Sequence, residues 1–302
     1  MNKKSRGDII HSCSDRIFDK VNLVLMLLIL VVMIWPLWFV VIASFSDSLS
    51  VSTGSVLLIP KGVTLAGYEK MLEYKSLWVG YGNTIIITLI GTSLNLFMTV
   101  CCAYPLSCKE FLPRKIVMYL LMVTMYFSGG MIPIYLVVKQ LGLIDTRWAM
   151  IIPSAVSFYN CLIVRSYFIN SIPTALKEAA TLDGANASQY LIKVVVPLSK
   201  PVLAVVGLYY AVGHWNDYYS ALLYIYDEKL YPLQSVLRNL LLSTQAIMTE
   251  GAVDLEELDR LYNLQAQMKY CVIIASIVPV LCIYPYIQKY FVKGVMVGSI
   301  KG

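Results

Sequence analysis

Charged side chains are scarce in this chain of 302 residues. Lys, Arg, Asp and Glu together make up 14% of the sequence, whereas 58% of the residues are hydrophobic. An ordinary water-soluble domain carries about 25% charged residues. The composition therefore excludes an ordinary soluble domain and indicates that a lipid bilayer is the solvent for most of the chain.

The groupings of residues on which catalysis and metal binding depend are missing as well. The chain has two histidines, and its seven cysteines show neither metal-ligand nor disulfide spacing. No nucleophile–base pair and no Walker-type glycine run can be recognised. We therefore predict that the chain is not an enzyme and that it binds no cofactor or metal of its own. His214 is predicted to be a hydrogen-bonded packing residue.

No internal repeat is visible either. Ion-coupled secondary carriers commonly consist of repeated halves with binding sites at the membrane midplane, so this alternative is disfavoured but stays open. The net charge of +6 comes from basic residues spread over four separate segments rather than from one patch. We predict that nucleic acid is not a partner.

What the sequence does contain is a set of six apolar stretches. A helix needs about 20 mainly apolar residues to cross a bilayer, and only helices and closed barrels satisfy the backbone there. The predicted fold is an all-α polytopic membrane protein with six transmembrane helices in contact with lipid. The predicted spans are residues 21–45, 80–106, 115–138, 149–168, 194–222 and 270–290.

The distribution of charge predicts the orientation. One face of this topology holds 15 of the 24 basic residues but only six of the 18 acidic ones, and basic loops are retained in the cytoplasm. Both termini are therefore predicted to be cytoplasmic. Residues 1–20 form a cytoplasmic N-terminal segment, and residues 21–302 form a single transmembrane domain. The basic start and long first apolar run are typical of an uncleaved anchor.

The longest inner segment, residues 171–197, has the pattern of two short helices. The residues 171–174 supply start signals, and 175–182 are mainly good helix formers. Gly184 interrupts this run before a second helical piece, and Pro197 marks the return towards the fifth span. We call this segment the 171–197 loop and expect it to lie at the membrane surface.

The long outer segment, residues 226–269, is acidic in its second half. Within residues 252–267, apolar and charged residues alternate at spacings compatible with an amphipathic helix. We expect such a helix to lie across the mouth of the pore.

The third span contains a possible break. Gly129, Gly130 and Pro133 either unwind the helix or allow a neighbouring helix to approach closely. Close packing is the favoured interpretation.

One motif connects the sequence to a known family. Glu178-Ala179-Ala180, Gly184 and Pro197 resemble the EAA loop of the permease subunits of binding-protein-dependent ABC importers, with the family's glycine and proline spacing intact. The resemblance is nearest to the maltose-permease-like branch, which takes up carbohydrates. The chain departs from the motif at Val194 and Val196, where the family commonly has isoleucine and leucine.

The resemblance implies a function and a set of partners. The chain would be a permease subunit in a bacterial cell membrane that translocates a sugar or oligosaccharide by alternating access, with a non-sugar solute as the alternative. Its partners would be a second homologous permease, an extracellular solute-binding protein, and two ATPase subunits that bind ATP and magnesium. The EAA loop would dock on an ATPase. The expected docking residues are Glu178, Ala179, Ala180, Asp183 and Gly184.

A substrate path is expected near the outer end of the fifth span. Aromatic faces and hydrogen-bonding groups are combined there as in sugar-binding sites. The alternative is an aromatic belt at the membrane interface. The candidate path residues are Trp215, Asn216, Asp217 and Tyr218.

Overall fold

The computed structural model describes residues 13–247, 267–283 and 285. All regular structure in these residues is helical, in agreement with the predicted all-α class. The α-helices are α1 (Cys13–Ser44), α2 (Ser48–Ser52), α3 (Ala66–Glu73), α4 (Lys75–Ser107), α5 (Arg114–Tyr126), α6 (Met131–Gln140), α7 (Trp148–Ile151), α8 (Phe158–Ser171), α9 (Thr174–Leu182), α10 (Ala187–Tyr190), α11 (Val196–Leu198), α12 (Lys200–Trp215), α13 (Tyr219–Tyr224), α14 (Leu233–Ile247) and α15 (Gln267–Ile283).

The chain divides into two compact units. The smaller unit contains residues 13–70 and 267–274, and the larger one contains residues 71–247 with 275–283 and 285. In the smaller unit the Ser44 hydroxyl accepts a hydrogen bond from Tyr68, and the Cys271 thiol donates to the Ser44 carbonyl. The prediction of a single transmembrane domain stays a prediction.

Helix α4 is the centre of the larger unit, where α8, α12 and α14 pack against it. Small residues allow these contacts. A Cβ atom on Gly80 would lie 3.2 Å from the Leu233 Cα atom of α14, and one on Gly91 would lie 2.5 Å from the His214 Nε2 atom of α12. Leu233 is fixed further, because its N–H donates to the Thr84 hydroxyl over 2.8 Å.

Apolar clusters of buried residues fill the larger unit, and the smallest described one contains Val138, Ala149 and Tyr224. Two larger ones lie along α4. The first lies towards the Ser107 end of α4 and joins it to α8 and α12. Its buried members are Ala103, Leu106, Cys161, Val164, Phe168, Tyr190, Val195, Val202, Val206 and Tyr210. The second lies nearer the Lys75 end of α4 and is built around Ile87, Met150, Ile151, Ala221 and Ile225.

The predicted spans are recognisable, but several are bent. Within α1, Ile17–Ser44 is long and apolar enough to cross a membrane, and so is α4. Three further helix pairs are long and apolar enough only when both members are taken together, and each pair is bent at a break: α5 with α6 at 115°, Trp148–Ser154 with α8 at 53°, and Ala187–Leu198 with α12 at 81°. Helix α15 is apolar but shorter, and residue 284 and residues 286–290 of the sixth predicted span lie outside the described residues. The count of six spans stays a prediction.

The favoured interpretation of the third span was wrong. The helix is broken between Tyr126 and Met131, and Gly130 adopts a φ of 86°. A Cβ atom on Gly130 would meet nothing within 4 Å, so this glycine serves the turn and not close packing. Only glycine adopts such a backbone conformation without steric cost.

The end of the fifth span also differs from the prediction. We expected a continuous helix to residue 222, but α12 ends at Trp215 and α13 begins at Tyr219. The Asp217 carboxylate accepts a hydrogen bond from the Ser220 N–H. Such a local side-chain bond to the backbone starts a new helix at the expense of the old one. The amphipathic helix predicted for 252–267 lies outside the described residues, apart from Gln267.

Candidate functional site

The 171–197 loop contains the two short helices that its pattern predicts. Helix α9 ends in a Schellman motif, in which the Ala185 N–H donates to the Ala180 carbonyl at 2.9 Å and the Gly184 N–H donates to Thr181 at 3.1 Å. Gly184 has a φ of 75°, the conformation that this motif requires and that glycine adopts most easily. The glycine of the EAA motif therefore forms the turn between α9 and α10.

The second helix is fixed by its own cap. Asn186 and Gln189 form a reciprocal capping box at the start of α10, with bonds of 2.8 and 3.0 Å. A π-helical turn, Leu191–Val195, follows, and α11 carries Pro197. The chain then bends into α12. Pro197 lies on this return, as expected.

Helix α9 has two different faces. Glu178, Ala179 and Leu182 are exposed. Leu182 lies four positions after Glu178 and three after Ala179, so it shares a face of the helix with both. The opposite side carries Lys177 and Ala180, which are partly buried, and Ala180 packs against the first apolar cluster. Among the expected docking residues, Ala180 is therefore turned inward. Glu178, Ala179, Asp183 and Gly184 are accessible.

Leu182 is an exposed residue of α9 that the set of expected docking residues did not include. This residue is 89% exposed. The signal was available, because Leu182 lies four positions after Glu178 and three after Ala179. Taken together, these residues form an apolar knob beside a carboxylate.

An ion pair joins the inward face of α9 to the connection between α4 and α5. The Lys177 Nζ atom lies 2.7 Å from the Glu110 Oε1 atom. The hydrogen bond from Lys177 lowers the pKa of the Glu110 carboxyl, and the same bond raises the pKa of the Lys177 ammonium. Both shifts favour the charged pair. No pattern in the sequence could reveal a pair 67 positions apart.

The nearby end of α4 is held by a second polar contact. The Arg165 Nε atom of α8 donates to the Leu106 carbonyl over 2.8 Å. This carbonyl belongs to the last turn of α4, where carbonyl groups lack partners within the helix. The Tyr104 hydroxyl donates to the Ala187 carbonyl of α10 at 3.4 Å. The end of α4 is thus joined to α8 and to the 171–197 loop.

A different polar site lies near the other end of α4. The Asn83 amide donates to the carbonyls of Lys229 and Tyr231, at 2.8 and 3.0 Å. Its oxygen accepts from the Nε and Nη2 atoms of Arg147, at 3.1 and 2.8 Å. Arg147 is partly buried, and no carboxylate among the described residues pairs with it. A partly buried cation without an anionic partner is costly, so this guanidinium is suited to an external anion.

Asp145 holds the neighbouring loops together. It adopts a φ of 61°, and its carboxylate accepts hydrogen bonds from the N–H groups of Tyr226 and Asp227, both at 2.9 Å. These bonds, first that from Asp227, lower the pKa of the Asp145 carboxyl.

Aromatic side chains lie beside the loops that Asp145 joins. The Tyr135 ring stacks on Tyr224, with 6.2 Å between the ring centroids, and the hydroxyl groups of Tyr135 and Tyr226 are 3.0 Å apart. Tyr219 reaches the same helix, because its hydroxyl lies 3.0 Å from the Met131 sulfur at the start of α6. Tyr219 and Tyr226 are exposed, whereas Tyr135 is partly buried and Tyr224 is buried. Two exposed tyrosines therefore lie beside the broken third span, supported by two that are more buried.

The four candidate path residues are placed differently from one another. The Trp215 ring is only 7% exposed, and its Nε1 donates to the Ser276 carbonyl at 3.1 Å, so it packs within the larger unit. Asn216 is exposed and accepts a hydrogen bond from Gln234 at 3.5 Å. The Asp217 carboxylate accepts a hydrogen bond from the Ser220 N–H in the first turn of α13, whereas Tyr218 is 45% exposed.

The polar residues inside the helices join neighbouring elements. The buried Asn95 amide donates to the Ser154 carbonyl at 2.6 Å, and its oxygen lies 3.1 Å from the His214 Nε2 atom. On the other side of the break in the fourth span, the Tyr210 hydroxyl accepts from the Ser157 N–H at 3.1 Å. The prediction that His214 is a hydrogen-bonded packing residue is confirmed. Within the described part of the chain, no three metal-ligating side chains come together.

Comparison with known proteins gives a consistent result. The family described as "Binding-protein-dependent transport system inner membrane component" matches residues 109–297. The chain is 37% identical to protein LplC of Bacillus subtilis, over 96% of each chain. It is 38% identical to the polygalacturonan/rhamnogalacturonan transport system permease protein YtcP of the same organism, over 95% of this chain and 99% of the relative.

A solved structure extends the likeness to the fold. It is the crystal structure of a bacterial ABC transporter involved in the import of the acidic polysaccharide alginate. One of its chains is 34% identical to this one and superposes with a TM-score of 0.83, over 94% of this chain and 100% of that one.

Proposed function

The chain belongs to the family of binding-protein-dependent transport system inner membrane components and works as a permease subunit of an ABC importer, and we propose that its cargo is an oligosaccharide of uronic acids. The observation that carries the cargo proposal is the likeness to two proteins named for acidic polymers, polygalacturonan/rhamnogalacturonan and alginate, at 38% and 34% identity over nearly the whole chain. Uptake of saccharides is the function of the permease branch that the sequence resembles, and it is also named for these two relatives.

The proposed assembly contains four kinds of subunit. This chain pairs with a second homologous permease, two ATPase subunits bind ATP and magnesium, and an extracellular binding protein delivers the oligosaccharide. The chain itself supplies a path and holds no cofactor. It crosses the membrane six times with both termini in the cytoplasm, which the excess of basic residues on one face supports.

The ATPase docks on the exposed face of the 171–197 loop. Leu182 supplies apolar area, and Glu178 and Asp183 supply charge that can pair with basic residues of the partner. Ala179 and Gly184 have no bulky side chains and let the partner approach closely. Ala180 supports this face from inside the subunit.

The oligosaccharide enters at the outer face, past the tyrosines of the broken third span. Tyrosine rings stack on sugar rings while their hydroxyl groups bind sugar hydroxyls. Asn216, Asp217 and Tyr218 continue this surface, and Trp215 supports it from within. Arg147 supplies the positive charge that a uronate carboxylate requires, and arginine is the residue best suited to bind carboxylates.

An uptake assay tests the cargo. The complete importer is reconstituted in proteoliposomes with its binding protein, and uptake of labelled galacturonate trisaccharide is compared with uptake of maltotriose. We expect uptake of the galacturonate alone. Transport of maltotriose alone would contradict an acidic cargo, and transport of neither sugar would point to the alternative of a non-sugar solute.

Arg147→Gln tests the path. Loss of a charged hydrogen bond costs about 1.5–3 kcal/mol, so the galacturonate concentration for half-maximal uptake should rise about ten-fold or more. Lys139→Gln is the matched control, because Lys139 is an exposed cation at the end of α6. Equal effects of the two variants would show that Arg147 does not bind the cargo.

A further inference from the structure

Helix α9 lies between two surfaces with different tasks. Its exposed face carries Glu178 and Leu182, the proposed contacts with the ATPase. Its inward face contacts the rest of the subunit through Ala180 and Lys177. Any displacement that the ATPase imposes on α9 has to pass through these inward contacts or through the ends of the helix.

The two inward contacts differ in what they fix. Ala180 presents one methyl group to an apolar cluster, and apolar contacts are non-directional. The Lys177–Glu110 pair is a charge-assisted bond of 2.7 Å, which ties α9 to one particular residue of the connection between α4 and α5. The ion pair therefore sets the position of α9 relative to the residues around Glu110.

Glu110 is well placed to pass a displacement on. The connection between α4 and α5 comprises only residues 108–113. It is held internally, because the Arg114 guanidinium donates to the Cys108 carbonyl at 3.3 Å. The other end of α4 carries Asn83, which binds Arg147 and the backbone near Lys229. One continuous helix thus connects the ion pair with the outer polar site.

We propose that the Lys177–Glu110 ion pair is a strut that transmits movement of α9 to α4 and α5, and so couples ATP binding by the ATPase subunits to opening of the outer site. The proposal rests on the proposed docking of an ATPase on α9. Both residues are positioning residues, since neither touches ATP or cargo. Exposed ion pairs contribute little to folding stability, so their removal should leave the complex assembled while coupling is lost.

The test reverses the charge of each residue singly and then of both together. The double variant restores an ion pair with the two charges exchanged. Glu110→Lys, Lys177→Glu and the double variant are each placed in the full importer. Lys109→Gln is the control, since Lys109 is an exposed neighbour of Glu110. Two quantities are measured in proteoliposomes: galacturonate trisaccharide molecules imported per ATP hydrolysed, and the change in maleimide labelling of Tyr226→Cys on addition of ATP and vanadate. The second quantity requires no cargo.

We expect each single variant to retain its ATPase subunits and to lose about two- to five-fold in both quantities. The double variant should return to within about two-fold of the unchanged protein, as a restored pair predicts. Three results would overturn the strut: single variants that match Lys109→Gln, a double variant as impaired as the singles, or single variants that lose the ATPase. Failure of docking itself is recognised separately, since Glu178→Lys would then leave ATPase binding intact.

Discussion

The imidazole of His214 occupies the space that a side chain on Gly91 would need. A Cβ atom on Gly91 would lie 2.5 Å from the Nε2 atom and 2.8 Å from two ring carbons of His214. The imidazole is held there by Asn95, which also binds the carbonyl at the break in the fourth span. One glycine therefore allows α12 to reach a buried polar network on α4.

Gly91→Ala should destabilise the subunit. The added methyl group has to displace a buried ring from its hydrogen bond, and overpacking of this kind costs about 1–3 kcal/mol. The measurement is the midpoint of thermal unfolding of the purified subunit in detergent. Gly82→Ala is the control, because it lies on the same helix and its Cβ would meet nothing within 4 Å. A melting temperature equal to that of the control would contradict the close approach of α12.

Asn83→Leu should loosen the outer polar site. The change removes the hydrogen bonds to the carbonyls of Lys229 and Tyr231 and to the Arg147 guanidinium, and a typical hydrogen bond contributes about 0.5–1.5 kcal/mol. Hydrogen exchange at the Tyr226 and Asp227 amides should become faster. Asn170→Leu, at an exposed position of α8, should leave this exchange unchanged. Identical protection in the two variants would show that Asn83 does not support these loops.

Gly184→Ala should distort the turn between α9 and α10. Alanine at a φ of 75° costs about 1–2 kcal/mol, whereas asparagine tolerates this region better. We expect the yield of ATPase that co-purifies with the subunit to fall in Gly184→Ala and to fall less in Gly184→Asn. Gly213→Ala, on helix α12 with open space around it, is the control. A full yield with Gly184→Ala would mean that the turn is not required for docking.

The Lys177–Glu110 pair predicts a definite pH dependence. Lys177 lowers the pKa of Glu110, so the contribution of this carboxylate is present above its ordinary pKa of about 4.3 and is lost as the pH falls through the lowered value. The raised pKa of Lys177 keeps the pair charged up to at least its ordinary value of about 10.4. The groups facing the pair are Arg114, Cys108 and Tyr190.

The difference in unfolding free energy between the unchanged protein and Glu110→Gln should therefore be constant between about pH 6 and pH 8. It should shrink only as the pH falls below about 4. Chemical unfolding at several pH values measures it, with Lys109→Gln as the control. A difference that changes across the neutral range would mean that another group titrates with the pair.

Much of the architecture follows from local signals in the sequence. The long apolar runs predict α1 and α4, and Gly184 and the residues before it predict the turn after α9. The breaks within the spans were harder to predict, since they depend on partners elsewhere. Tyr210 caps the broken fourth span from α12, and this contact spans 53 positions.

In the candidate site too, features that depend on neighbouring residues could be predicted from the sequence, and features that depend on distant residues could not. The exposed residues of α9 are adjacent in sequence, so their motif predicted them, and even Leu182 follows from helical spacing. Arg147 and Glu110 acquire their roles only through Asn83 and Lys177, which lie 64 and 67 positions away. Trp215 shows that a local signal can also mislead. Its aromatic character suggested a residue of the substrate path, but its indole is buried and donates a hydrogen bond to the Ser276 carbonyl.

The most direct test of the account is the co-purification of the ATPase with Glu178→Lys. Glu228→Lys is the matched control, because it reverses an exposed carboxylate on the outer segment. The yield of ATPase is measured after affinity purification of the subunit from cells that express the whole importer. Docking on the 171–197 loop predicts a large loss of ATPase with Glu178→Lys and none with Glu228→Lys. Equal, full yields and normal uptake with both variants would contradict it.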